Sequence, residues 1–229
     1  KEFAVGLKGI QKERTISDAF EQSTSGESLV NMMDLDLIVG SGGVLSHAPR
    51  REQSAKMLID AFMPQGITQL AVDSIFMMPQ LGVLSHVEEK EFSQQARDAA
   101  LEVFHKDCLI RLGTCVTPVG NSKSGDTVMR IKLEMPDDSL IEKEILKDEI
   151  IRIELPYQPI KATIIPSKMM DVGAGFGQEI QTELYGGTVG LIFDGRNRPI
   201  NIPNDKNKRL EALISWSKAL NEYPQTKQK

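Results

Sequence analysis

Leu37-Ile38-Val39-Gly40-Ser41-Gly42-Gly43 is the stretch on which the fold turns. A short run of branched apolar residues closed by glycines reads as a buried strand ending in a tight turn. Downstream, Ser46-His47-Ala48-Pro49-Arg50-Arg51 leads into a helix whose Ala55, Leu58, Ile59 and Phe62 share one face. Pro64 and Gly66 stop that helix, and Leu70-Ala71-Val72-Asp73 reads as the next strand. Strand, helix, strand is the α/β grammar that builds a mostly parallel sheet. Upstream, Leu7, Ile10 and Arg14 suit one helix face, Ser17-Asp18-Ala19-Phe20 a helix start, and Leu29, Val30, Met32 and Met33 an apolar face after the Ser25-Gly26-Glu27 break. Residues 87–106 read as a further helix, with Phe92, Ala96, Ala99, Ala100, Val103 and Phe104 apolar.

Near Cys108 the pattern changes. Met129, Ile131, Leu133 and Met135 alternate with Arg130, Lys132 and Glu134, and Ile151, Ile153 and Leu155 alternate with Arg152 and Glu154. Period two is the signature of half-buried strands. Ala162–Ile165 is another short strand, and Glu179–Tyr185 and Thr188–Phe193 flank Gly186-Gly187 as a hairpin would. Lys206 to Leu220 closes the chain as an amphipathic helix carrying Leu210, Leu213, Ile214 and Trp216. The expected organisation is therefore α/β followed by β-rich. Residues 1–109 form the α/β part, 110–204 an antiparallel barrel or sandwich, and 205–229 a C-terminal helix and tail.

Composition bounds the function. The 229 residues carry 27 basic and 32 acidic side chains, net charge −5, and are 40% hydrophobic, which excludes disordered and collagen-like chains. An acidic balance with 5% aromatic residues argues against a nucleic-acid binder, which needs a basic stripe and stacking rings. No apolar run approaches the roughly 18 residues of a membrane span. Cys108 and Cys115 are too few for a disulfide scaffold, so a reducing, cytoplasmic setting is expected. The chain opens Lys-Glu-Phe-Ala without an initiator methionine, and a piece of a longer protein is expected.

Glycines directly after a buried strand let a flat ligand or a phosphate lie against bare backbone. A ligand-free strand-to-helix turn explains Gly40, Ser41, Gly42 and Gly43 equally well. His47, Arg50 and Arg51 offer a phosphate or carboxylate clamp; alternatively they are ordinary surface groups. Asp73, at a strand's carboxyl end, sits where open α/β sheets place their sites, although aspartate there is also a common turn former. Asp171 to Gly177 lacks dinucleotide spacing and precedes a β segment, so it reads as a connection. His86 and His105 have no partner at metal-ligand spacing, so no metal site is expected. The methionines at 32, 33, 57, 77 and 78 read as core filling. No nucleophile motif names a catalytic residue.

The Leu37 to Leu45 segment resembles the adenosine motif of the actin, heat-shock chaperone and sugar-kinase ATPase superfamily. More closely, Gly40 to Arg50, Val72 to Gly82 and Asp194-Gly195-Arg196-Asn197-Arg198-Pro199 resemble the MutL/GlmL (glutamate mutase L) family. These accessory proteins of adenosylcobalamin-dependent mutases and aminomutases are unrelated to the mismatch-repair protein sharing the name. The resemblance implies part of an actin-like (ribonuclease H-like) ATPase domain acting as a reactivating chaperone that opens a mutase to release damaged cobalamin. It implies ATP or ADP with Mg²⁺ as cofactor, and cobalamin touched only indirectly, through the client. Gly42 and Gly43 would contact the nucleotide, with Gly40 and Ser41 shaping the turn; His47, Arg50 and Asp73 receive no role from it. The family's Asp- and Gly-rich phosphate loop does not precede Gly40, so hydrolysis by this chain alone is not expected. The β half resembles a barrel-sandwich module suited to client docking. A nucleotide-independent scaffold is the alternative, and a self-sufficient small-molecule kinase is disfavoured because no catalytic base can be named.

Overall fold

The computed structural model describes residues 31–85 and 94–223. The helices expected before Asn31, the start of the 87–106 helix, His86 and the last tail residues lie outside the described residues.

Strand β1 (Leu37–Gly40) pairs in parallel with β2 (Gly66–Asp73), Leu37 opposite Gln69 and Gly40 opposite Val72. Between them run the single turn α1 (Gly43–Ser46) and helix α2 (Arg51–Phe62). Gln53 Oε1 accepts the Arg50 N–H at 3.3 Å, satisfying a donor at the start of α2. At the other end Met63 takes a left-handed conformation and its N–H reaches Ile59 O at 2.8 Å, a stop that Pro64 reinforces. Ala55, Leu58 and Ile59 are buried on the sheet-facing side, as their spacing requires.

Strand β2 then pairs antiparallel with β3 (Leu109–Thr117), from Gly66 opposite Thr117 to Asp73 opposite Leu109. Strand β3 lies parallel to β11 (Leu191–Asp194), which is antiparallel to β7 (Ile150–Ile153). The five-stranded sheet runs β1-β2-β3-β11-β7. The sheet is mixed rather than mostly parallel, because the chain comes back after a helical excursion to run β3 antiparallel to β2 instead of crossing over in the same sense. It also draws strands from both sides of residue 110, where the sequence pattern changes.

A four-stranded antiparallel sheet follows, ordered β10 (Ile180–Tyr185), β8 (Pro159–Pro166), β5 (Thr127–Glu134), β6 (Leu140–Leu146). The short strands β4 (Val119–Gly120) and β9 (Met170–Asp171) pair separately. In β5 the expected alternation holds: Met129, Ile131 and Leu133 are buried while Arg130, Lys132 and Glu134 are exposed. That buried face packs with Ile145, Ile164 and Leu184 against Val116, Leu191 and Phe193 of the first sheet. The opposite face of the first sheet presents Ile38, Leu70, Val72, Leu112 and Ile192 to Leu58 and Ile59 of α2 and to Trp216 and Leu220. The last two belong to the C-terminal helix Lys206–Leu220, capped by the Asp205 carboxylate, which accepts from Asn207 N and Lys208 N. The layers are thus helices, mixed sheet, antiparallel sheet. Each leucine or isoleucine buried between them contributes about 1.5–3 kcal/mol.

The hairpin expected around Gly186-Gly187 does not form. Strand β10 pairs with β8 in one sheet, and β11 with β3 and β7 in the other. A two-residue type I′ turn needs positive φ at both central residues, and neither glycine has it. They are glycines for a different reason. A Cβ on Gly186 would lie 2.1 Å from Pro156 O, and one on Gly187 2.4 Å from the Leu112 carbonyl carbon. The pair lets the chain squeeze past two neighbouring backbones as it changes sheet.

Between β2 and β3 lie α3 (Met78–Ser85), α4 (Gln94–Val103) and a π turn, Phe104–Cys108. Leu81, Ala100 and Cys108 form a small core of their own there.

Candidate functional site

The glycine turn leaves β1 at the carboxyl edge of the parallel β1–β2 pair, and its glycines differ in kind. Gly40 is a packing glycine: a Cβ there would meet Leu45 Cδ1 at 2.7 Å and Leu58 Cδ2 at 2.9 Å. Gly42 has φ +110°, a conformation that side chains resist. A Cβ at Gly42 or Gly43 would meet nothing within 4 Å. Two consecutive peptide units thus face open space. Leu45 N and Ser46 N donate to Gly42 O, and His47 N to Gly43 O, fixing the turn as α1.

Asp73 ends the neighbouring strand and is fully buried. Its Oδ1 accepts from Met77 N at 3.2 Å and its Oδ2 from Met78 N at 3.0 Å, so the carboxylate caps the start of α3. The Ser41 hydroxyl approaches the same Oδ2 at 3.4 Å, and the Ser46 hydroxyl donates to Asp73 O. The two strand ends are therefore tied together through Ser41, Ser46 and Asp73. The sequence brought Ser41 and Asp73 forward separately; the structure joins them.

The candidate clamp is arranged differently. Arg51 Nη1 donates to Ser46 O at 2.9 Å, and Arg50 pairs with Glu52 at 3.0 Å. Both guanidiniums thereby brace the α1–α2 corner. His47 is exposed, its ring 5.5 Å from that of Phe76.

Residues 4–107 match the family model described as MutL protein, a span that contains the glycine turn, α2, β2 and the Asp73 cap. Over these residues, just under half of the chain, the sequence is similar to the MutL family. No curated protein and no solved structure matches it. Among the described residues, no helix is long and apolar enough to cross a membrane.

Fit to a nucleotide divides along the turn. The bare Gly42-Gly43 backbone suits the flat body of an adenosine. Among the described residues no cluster of three or more His, Cys, Asp or Glu side chains could hold a metal ion, and Asp73 is committed to its cap. The described residues thus offer open backbone at Gly42-Gly43 and no assembled Mg²⁺-phosphate site.

Sequence reasoning missed the polar centre of the molecule. Asp194 ends β11 fully buried and accepts from Arg196 N at 3.0 Å, Arg196 Nε at 2.9 Å, Arg196 Nη2 at 2.9 Å and Arg198 Nη2 at 2.8 Å. Burial opposes its charge, but Arg198 and Arg196 outweigh that and hold its pKa below the ordinary carboxylate value. The buried Arg196 also reaches Asp60 of α2 at 2.9 Å and stacks over Trp216 with its carbon 4.8 Å from the ring centre. Arg198 reaches Pro64 O and the Thr117 hydroxyl. The only sequence signal was the Asp194 to Pro199 phrase itself. Asp171 Oδ1 accepts from Gly173 N and Gly175 N, so the glycine-rich 171–177 segment is an internally satisfied loop. Cys108 and Cys115 are free and buried. Burial, with Asp194 nearby, pushes the Cys115 thiol up to about 12. Burial, with Asp73 and Asp107, also raises Cys108.

Proposed function

We propose that this chain forms part of an ATP-dependent reactivating chaperone for an adenosylcobalamin-dependent mutase, in which the Gly42-Gly43 backbone seats the adenosine of the nucleotide. One observation carries the reading: two glycines at the carboxyl edge of a parallel strand pair, with open space where every other residue would project a side chain. The match of the same residues to the MutL family model supports it. On this reading the α/β part is a portion of an actin-like ATPase domain, and the four-stranded sheet docks the client. Among the described residues nothing positions a γ-phosphate, and on this reading they bind nucleotide without turning it over by themselves.

Isothermal titration with ATP and ADP tests this, comparing wild type with Gly43→Val. A side chain at Gly43 meets no neighbour, so the variant folds while its isopropyl group occupies the seat. Heat in the wild type, and binding at least tenfold weaker in the variant, supports the proposal. Equal heats, or none in either, contradict it.

A second reading is a nucleotide-independent scaffold. It draws on the internal use of Arg50, Arg51 and Asp73, which leaves the turn without a charged partner for phosphate. It predicts no change in melting temperature with nucleotide and direct capture of the purified mutase by the chain alone.

A further inference from the structure

On the same edge of the five-stranded sheet, two strands away from the glycine turn, an open cleft of about 780 Å³ lies over the start of β3. Its size falls in the range of small-molecule sites, roughly 300–1,000 Å³. His105, Lys106, Arg111, Tyr157, Thr188 and an apolar floor that includes Ile110 line it, and no lining residue is acidic. In a chain of net charge −5 this is a local reversal of sign.

We propose that this cleft binds a phosphorylated small molecule carrying a planar ring. Arg111 forms no ion pair among the described residues; its guanidinium approaches only His105 Nδ1, at 3.4 Å. Its backbone is pinned, with Arg111 O accepting from Thr188 N at 3.0 Å, so the side chain is the free element. A guanidinium without a carboxylate presents a donor fork matched to two phosphate oxygens. Lys106 adds a second cation, held by Glu102 in an exposed pair that solvent screens. The π turn sets His105 and Lys106 on the rim through the Leu109 N–H to Phe104 O bond; such turns recur at functional sites. Tyr157, 55% exposed, is backed by Tyr185 with ring centres 5.9 Å apart, which makes a supported face for a flat ring. These residues share none with the glycine turn, so the proposal stands independently of the nucleotide reading.

The test uses phenyl phosphate and inorganic phosphate with the full 229-residue chain, followed by amide NMR shifts and titration. The proposal expects phenyl phosphate to move the resonances of Lys106, Ile110, Arg111, Tyr157 and Thr188. Arg111→Ala should weaken binding at least tenfold, Arg111→Lys should keep part of it, and Arg209→Ala, an exposed charge on the C-terminal helix, should change nothing. Tyr157→Ala should weaken phenyl phosphate while leaving inorganic phosphate unaffected. Absence of shifts at millimolar phenyl phosphate overturns the proposal, as does equal affinity in a folded Arg111→Ala variant.

Discussion

Replacing Asp194 by alanine removes the centre of the Asp194–Arg196–Arg198 network, and the structure sets the scale of the loss. The carboxylate accepts four hydrogen bonds, three of them from guanidinium groups, and is fully buried. Charge-assisted bonds of this kind contribute roughly 1.5–3 kcal/mol each, but they share one acceptor group and do not add. The better guide is the cost of breaking a buried ion pair, about 3–5 kcal/mol, because a desolvated charge is left behind. Arg196 keeps Asp60 and the Trp216 face, which places the expected loss at the lower end of that range. For a chain of this size each kcal/mol moves Tm by roughly 2–4 °C, so a drop of at least about 6 °C is expected. Urea unfolding followed by Trp216 fluorescence, with circular dichroism as a second probe, reads it directly, since Trp216 is the only tryptophan. The exposed Arg130–Glu144 pair is the internal comparison. Arg130→Ala should cost below about 1 kcal/mol. A loss below about 1 kcal/mol for Asp194→Ala would refute the view that this network joins β11 to α2 and the C-terminal helix.

Three further outcomes are expected. Asp194 titrates below its ordinary value when folded. Its contribution is therefore complete above the ordinary carboxylate pKa, roughly 4, and is lost as pH falls through the folded value; urea midpoints in acid should drop less steeply for Asp194→Asn than for wild type. Cys115, with its pKa near about 12, and Cys108, also raised, should resist a thiol reagent at pH 8 in the native protein and both react once it is unfolded. Gly113→Ala should fail to reach the native fold or lose several kcal/mol, because a Cβ at φ +137° would lie 1.8 Å from Gly190 O; Gly43→Ala, which meets nothing, should leave the melting curve in place.

Local grammar made much of this fold legible. The β1–α2–β2 unit, the alternation in β5 and the C-terminal helix Lys206–Leu220 all follow from side-chain period and capping residues that act within a few positions. What misled was pairing over distance. Gly186-Gly187 carries the composition of a hairpin turn, yet its glycines answer to Pro156 and Leu112, far away in sequence. The same limit hid the polar centre: Arg198 meets Thr117 across 81 positions and Pro64 across 134, and nothing in the Asp194 to Pro199 phrase names those partners. Asp73 was visible as a strand-end carboxylate, but its use as a cap for Met77 and Met78 depends on how the chain folds back after Phe76, a residue with φ 60°.

The most direct measurement follows individual backbone amides as ADP is added to the labelled chain. Gly42 and Gly43 should shift in proportion to occupancy. Gly125, equally open but in the β-rich part, should stay still. Stationary Gly42 and Gly43 signals under nucleotide concentrations that saturate binding elsewhere would contradict the adenosine seat outright.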